Sequence, residues 1–259
     1  MCQLLGVSTF TPLRLSFSWD RFALRGSETA GNPDGWGVAY AKSVDVQILR
    51  EPRPAASSPL VEFLRSYGPE STTIVSHVRR ATIGKKQLSN TQPFVRALGG
   101  QQHIFAHNGH VSSLSHPTGP WLRPIGTTDS EEMFCLLLDR MEPLWRESDE
   151  PELDRRTEIV ASFAKEMRGK GAANFLYFDG LTLFAHGHRK TIPGVEVSTG
   201  PGLHILIQPE DHGRDPCEGL TTSSHTGTKA LVATMPLDGQ DWRPLAEGEL
   251  LRLERGALV

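Results

Sequence analysis

The sequence lacks any long apolar run. Its apolar stretches extend only a few residues, whereas a membrane-spanning helix needs about 20, so no membrane partner is expected. Cysteine is scarce. Cys2, Cys135 and Cys217 are an odd number at irregular spacing, unlike a secreted disulfide framework. Met1–Val7 carries no basic segment, and Gln3 interrupts its short apolar run, so a secretory leader is not expected either. These absences predict a cytoplasmic protein with reduced thiols. An excess of one charge is also missing. The 27 Lys and Arg nearly balance the 30 Asp and Glu, for a net charge of -3, which speaks against nucleic-acid binding. There is no internal repeat, no low-complexity tract and no linker.

What is present is ordinary globular composition, with 38% hydrophobic and 22% charged residues in a chain of 259. A core of that size is stable without disulfides or metal. Strands are predicted over Gln3–Thr9, Trp36–Ala41, Val44–Arg50, Thr72–Val78 and His103–His107. Helices are predicted over Ser18–Gly26, Leu60–Tyr67, Glu131 to about Met141 (capped by Asp129 or Ser130) and Glu152–Arg168. Later strands follow at Phe175–Phe178, Leu181–His186, Leu203–Gln208, Ala230–Thr234 and Glu249–Leu253, with Pro209–Cys217 as a surface loop. Strands, then helices, then strands indicate an α+β layering rather than a doubly wound sheet.

Four segments carry candidate chemistry, each with an ordinary reading beside it. Cys2 is either a small buried hydrophobe or, after methionine removal, a thiol and a free α-amine on one residue. Such an amine, with a pKa near 7.7–8.0, can serve as the thiol's own base. Ser76-His77-Val78-Arg79-Arg80-Ala81-Thr82-Ile83-Gly84 ends a strand in two arginines. They are either a solvated basic turn or a planar fork for a carboxylate. Ala106-His107-Asn108-Gly109 is a hairpin signal, or an amide and a backbone N–H aimed at one oxyanion. Thr127-Thr128-Asp129-Ser130-Glu131 is a helix cap, or a carboxylate offered to a substrate ammonium. The histidines give no metal site. His103 and His107, on a strand, stand about 13 Å apart, and Ile104 occupies the position where a zincin has its glutamate. No metal and no cofactor is therefore expected, and His107 is read as a packed or hydrogen-bonded residue.

In this order, behind an N-terminal cysteine, the four segments resemble the class II glutamine amidotransferases, which are N-terminal-nucleophile hydrolases. Asn32-Pro33-Asp34-Gly35-Trp36-Gly37 and Asn90-Thr91-Gln92-Pro93-Phe94 strengthen the likeness. Thr234-Met235-Pro236-Leu237 and Trp242 extend it more weakly toward the C-terminus. The form is similar to the YafJ-like branch of stand-alone amidotransferase domains, and to the γ-glutamyl amidohydrolase of ergothioneine biosynthesis. The resemblance implies a four-layer αββα sandwich of two mainly antiparallel sheets, with residues 1–259 as a single amidotransferase domain. It implies Cys2 as nucleophile, Asn108 and the Gly109 N–H as the oxyanion site, and Arg79 on the glutamine α-carboxylate. Asp129 would hold the α-ammonium, and Thr82 would lie on a loop that closes over the substrate. Arg80 departs from a tryptophan found there in some synthases. The substrate implied is glutamine or another γ-glutamyl amide. The product ammonia would be released, or supplied to a separate synthase. The alternative is a non-catalytic regulatory subunit that binds glutamine or a γ-glutamyl metabolite.

Overall fold

A computed structural model describes residues 2–14, 16–17, 32–81, 83–114, 121–189, 200–209, 220–221 and 227–259. The expected helix Ser18–Gly26, the loop Pro209–Cys217 beyond residue 209, and the residues Thr82 and Cys217 lie outside these. The strands in chain order are β1 (Gln3–Arg14), β2 (Ser16–Phe17), β3 (Trp36–Lys42), β4 (Asp45–Glu51), β5 (Glu70–Val78), β6 (Phe94–Leu98), β7 (Gln101–Val111) and β8 (Gly171–Phe178). They continue with β9 (Leu183–His186), β10 (His204–Gln208), β11 (Leu220–Thr221), β12 (Lys229–Ala233), β13 (Arg243–Pro244), β14 (Leu250–Glu254) and β15 (Ala257–Leu258). The helices are α1 (Pro59–Tyr67), α2 (Asp129–Glu147) and α3 (Leu153–Lys170).

The strands form a seven-stranded sheet ordered β13-β10-β12-β1-β5-β3-β4 and a six-stranded sheet ordered β15-β14-β9-β8-β7-β6. Neighbours in both run antiparallel. The period-2 alternation of a strand assigns each face. In β1, Leu5 and Val7 face α1, packing with Val61, Leu64 and Tyr40. Leu4 faces the other way, into a core between the sheets with Val75, Ile104, Ala106 and Leu176. Gly6 shares that inner face, where an added Cβ would stand 3.0 Å from Leu176 Cδ1, so this is a point of close approach between the sheets. On the far side α2 and α3 bury Met133, Phe134, Leu137, Phe163 and Met167 against Phe105, Phe175 and Tyr177. Each such side chain contributes about 1.5–3 kcal/mol on burial. The result is the expected α+β four-layer αββα sandwich. None of the described helices is long and apolar enough to cross a membrane.

Some boundaries differ from expectation. Helix α2 continues through Pro143 to Glu147, because Leu144 and Trp145 are buried. Their packing outweighs the backbone bond that proline forfeits. Its N-cap is Thr128, whose Oγ1 accepts from Glu131 N at 3.4 Å, rather than Asp129 or Ser130. Strand β6 was not anticipated from sequence, and β7 is longer than His103–His107 at both ends.

Helix α3 is locked to its sheet by a buried ion pair. Arg156 donates to Asp179 Oδ2 at 2.6 Å and to Thr182 Oγ1 at 2.9 Å. Asp179 Oδ1 takes the N–H groups of Leu181 and Thr182. Truncating one partner strands the other charge away from water, which costs about 3–5 kcal/mol. Arg156→Met should therefore lower stability by about that amount in urea denaturation, and Arg156→Met combined with Asp179→Asn should recover part of the loss.

Candidate active site

The motifs converge on one rim of the sandwich, where β1 begins and β5 and β7 end. Cys2 precedes β1, and β5 runs antiparallel to it with Gln3 opposite Val78. That register brings the residues after β5 beside Cys2. Arg80 N donates to Cys2 Sγ at 3.2 Å, and Sγ donates to Arg80 O at 3.3 Å. From the facing sheet, Asn108 lies on the inner face of β7. Its Nδ2 donates to Cys2 O at 2.9 Å and to Thr234 Oγ1 at 3.2 Å. Thr234 Oγ1 also accepts from Leu4 N at 2.9 Å, so it ties the end of β12 to the start of β1.

Asn108-Gly109 is thus no hairpin turn. Both residues pair with β8, opposite Asn174 and Ala173. A Cβ on Gly109 would stand 1.9 Å from Ala172 O, so only glycine permits this approach.

Arg79 is buried, and its guanidinium is gathered by backbone carbonyls. Nη2 donates to Ile83 O at 2.8 Å and Gly84 O at 3.2 Å; Nη1 donates to Lys85 O at 3.4 Å. Asp34 braces the same turn. Its Oδ2 accepts from Ala81 N at 2.8 Å and its Oδ1 meets Lys86 Nζ at 2.5 Å. Burial raises the Asp34 pKa, but the lysine, the Ala81 N–H and the Arg79 charge outweigh it and hold the carboxyl below its ordinary value.

Asp129 opens α2 because Thr128 takes the capping role. This frees its carboxylate to reach β7, where Oδ2 accepts from Val111 N at 2.9 Å and meets His110 Nδ1 at 3.2 Å. A cavity of about 400 Å³ lies here, lined by Ile83, His110, Thr127, Asp129 and Glu132 among others. Ile83 thus both lines the cavity and holds Arg79 through its carbonyl. Asn90 joins the two framing loops. Its Nδ2 donates to Lys85 O at 3.0 Å and its Oδ1 accepts from Thr127 N at 2.8 Å.

The whole chain, residues 1–259, matches the family model described as glutamine amidotransferases class-II. This chain belongs to the class II glutamine amidotransferases. A Haemophilus influenzae relative named "Putative glutamine amidotransferase" is 34% identical over 267 residues, covering 100% of this chain and 86% of its own. The Escherichia coli relative named "Putative glutamine amidotransferase YafJ" is 30% identical, with 96% and 99% covered. The crystal structure of a predicted glutamine amidotransferase from Pseudomonas aeruginosa superposes at TM-score 0.69 with 28% identity, covering 100% of this chain and 99% of that one. The glutamine phosphoribosylpyrophosphate amidotransferase of Bacillus subtilis shares the fold at TM-score 0.56 and 12% identity, and this chain spans 48% of it.

Within this amidotransferase, Cys2, Asn108 and the residues around Arg79 come together directly, while Asp129 bonds Val111 farther along β7 and shares a cavity with Ile83. Thr82 lies outside the described residues. Sequence reasoning gave no role to Asn90, although it quoted the motif that contains it, and it missed Asn174, which precedes the apolar run of β8 without any motif of its own. His103 and His107 are packed residues. His103 Nδ1 meets Tyr177 Oη at 2.8 Å, while His107 bonds Ser130 Oγ and Ala172 O, both at 2.9 Å. Among the described residues no group of three or more His, Cys, Asp or Glu could hold a metal ion.

Burial pushes the Cys2 thiol pKa above its ordinary value, opposed by the Arg80 N–H and by the Arg79 charge. Two nearby histidines are poor proton acceptors. Burial, reinforced by the Arg79 charge, drives His77 down to about 3. His107 is lowered by burial as well. In the chain that keeps Met1, alkylation of Cys2 by iodoacetamide should titrate with a midpoint above the usual thiol value of about 8.5. Arg79→Met should move that midpoint higher still, as followed by peptide mass spectrometry across pH.

Proposed function

We propose that this class II amidotransferase hydrolyses the γ-amide of glutamine, or of a γ-glutamyl compound, from an N-terminal Cys2 exposed by removal of Met1. The observation that carries the reading is the placement of the Asn108 carboxamide on the backbone of Cys2. Both hydrogens of that amide are taken in the unliganded arrangement, by Cys2 O and Thr234 Oγ1; handing one of them to the γ-carbonyl oxygen of a substrate would make Asn108 an oxyanion donor beside the thiol. Residues 1–259 are read as one amidotransferase unit.

In this reading the α-amine of Cys2 takes the thiol proton as Sγ attacks the γ-carbonyl carbon. The carbonyl π electrons move to oxygen, and the Asn108 amide and Gly109 N–H hold that oxyanion. Collapse breaks the C–N bond, and the ammonium proton leaves with the amine, giving ammonia and a γ-glutamyl thioester. Water, deprotonated by the same amine, attacks the thioester and releases glutamate and the thiol. The amine is read as the base because it sits on the nucleophile's own residue, and burial makes His77 and His107 weak acceptors beside it. Arg79 receives the α-carboxylate, which replaces some of the carbonyls of residues 83–85 on the guanidinium. Asp129 receives the α-ammonium. Simple amides lack both charges and so gain neither contact, which makes the pair a source of selectivity for the α-amino acid end.

Ammonia release from L-glutamine should vanish in Cys2→Ala. Arg79→Lys should mainly raise KM, because a point charge does not reproduce the bidentate fork. Asn108→Ala should mainly lower kcat, by about 100- to 1000-fold, because the oxyanion exists only after attack. A folded wild type that starts at Cys2, binds glutamine and turns over no γ-glutamyl amide would instead identify a binding subunit.

A further inference from the structure

Directly behind Asn108 stands Asn174, on β8 and opposite it in register. It is buried, with 2% of its surface exposed, yet its carboxamide is well occupied. Nδ2 donates to Asn108 O at 3.0 Å and to Arg189 O at 2.9 Å, and Oδ1 accepts from His188 N at 2.7 Å. Two carbonyls and one N–H surround it, so only one orientation of the amide satisfies all three. A carboxylate would set an acceptor against two acceptors. The space is cut to fit as well. A Cβ on Gly202 would stand 1.7 Å from Asn174 Oδ1, so glycine there leaves room for the amide.

The bond to Asn108 O controls more than Asn108. That carbonyl and the Gly109 N–H belong to one peptide unit, which is planar and trans, so they point in opposite directions. Holding the carbonyl toward β8 turns the Gly109 N–H away from β8. On that side β6 pairs with β7 only as far as Phe105, and no described strand lies beyond it to take the N–H.

We propose that Asn174 is a positioning residue for the oxyanion site: by pinning the Asn108–Gly109 peptide plane it aims the Gly109 N–H, and it holds the strand from which the Asn108 carboxamide reaches Cys2. This rests on the reading of Asn108 and Gly109 as oxyanion donors. Asn174 has no bond to Cys2, and both effects pass through its bond to Asn108 O. Misplacement of a reacting group by about 1 Å is enough to cost on the order of 100-fold in rate.

The test compares wild type, Asn108→Ala, Asn174→Asp and Gly202→Ala in steady-state hydrolysis of L-glutamine, with thermal melting to establish that each is folded. Asn174→Asp keeps the shape and removes the donors. It should lower kcat by about 10- to 100-fold with KM within about threefold of wild type. Its deficit relative to wild type should shrink as pH falls, because a protonated carboxyl regains one donor. Gly202→Ala keeps the Asn174 side chain but forces its carboxamide to shift, so it should give a loss of the same kind and keeps the test alive should Asn174→Asp not fold. If Asn108→Ala loses kcat while folded Asn174→Asp and Gly202→Ala stay within twofold of wild type, the positioning role is overturned and the oxyanion reading stands. If wild type is inactive, or Asn108→Ala keeps its kcat, the oxyanion reading falls and the positioning role falls with it.

Discussion

One amide joins the two sheets at the place where the chemistry is proposed to happen. The Asn108 carboxamide leaves the inner face of β7 and donates across the sandwich to Cys2 O at 2.9 Å and Thr234 Oγ1 at 3.2 Å. Most of the inner face is apolar, and apolar packing has no direction. Polar bonds at the rim do have direction, and they fix which residue of one sheet faces which residue of the other. Everything placed around Cys2 inherits that registration. Arg80 arrives through β5, Thr234 through β12, and Asp129 through its bond to Val111 at the end of β7.

The loops are built to the same standard. Asn90, fully buried, holds Lys85 with its nitrogen and Thr127 with its oxygen. Glu131, nearly as buried, accepts from Ile125 N and Gly126 N and pairs with Arg96. Gln92 accepts from His107 N at 2.6 Å. These are ordinary hydrogen bonds, each worth about 1 kcal/mol net. Their value is geometric. They keep the walls of the cavity beside Asp129 at a fixed separation.

The site was largely legible in the sequence because its proposed chemistry is carried by short contiguous motifs at strand ends. Cys2, Arg79, Asn108 and Asp129 each announce themselves beside distinctive neighbours. What was not legible depends on register. Asn174 is a polar residue heading an apolar strand, and its partner is known only once β8 is laid against β7. Asn108-Gly109 carries the signal of a hairpin, yet the chain runs straight through it, because β8 lies alongside and glycine admits Ala172 O. Pro143 marks a helix end by local rules, and burial of Leu144 and Trp145 overrules it. Strand β6 escaped notice because Arg96 breaks its apolar pattern, and that arginine turns out to serve Glu131. In each case a local preference yielded to a contact distant in sequence.

Gly6 marks where the sheets come close, against Leu176, on the same two strands that carry Cys2 and Asn174 to the rim. This makes the active centre a vernier for the alignment of the two sheets. A strand residue spans about 3.3 Å. A relative shift of only a fraction of that would part Asn108 from Cys2 while leaving every ladder within each sheet intact. The proposed chemistry thus depends on an alignment that no hydrogen bond within either sheet guards, and that the apolar packing of Leu4 and Leu176 between them helps to hold.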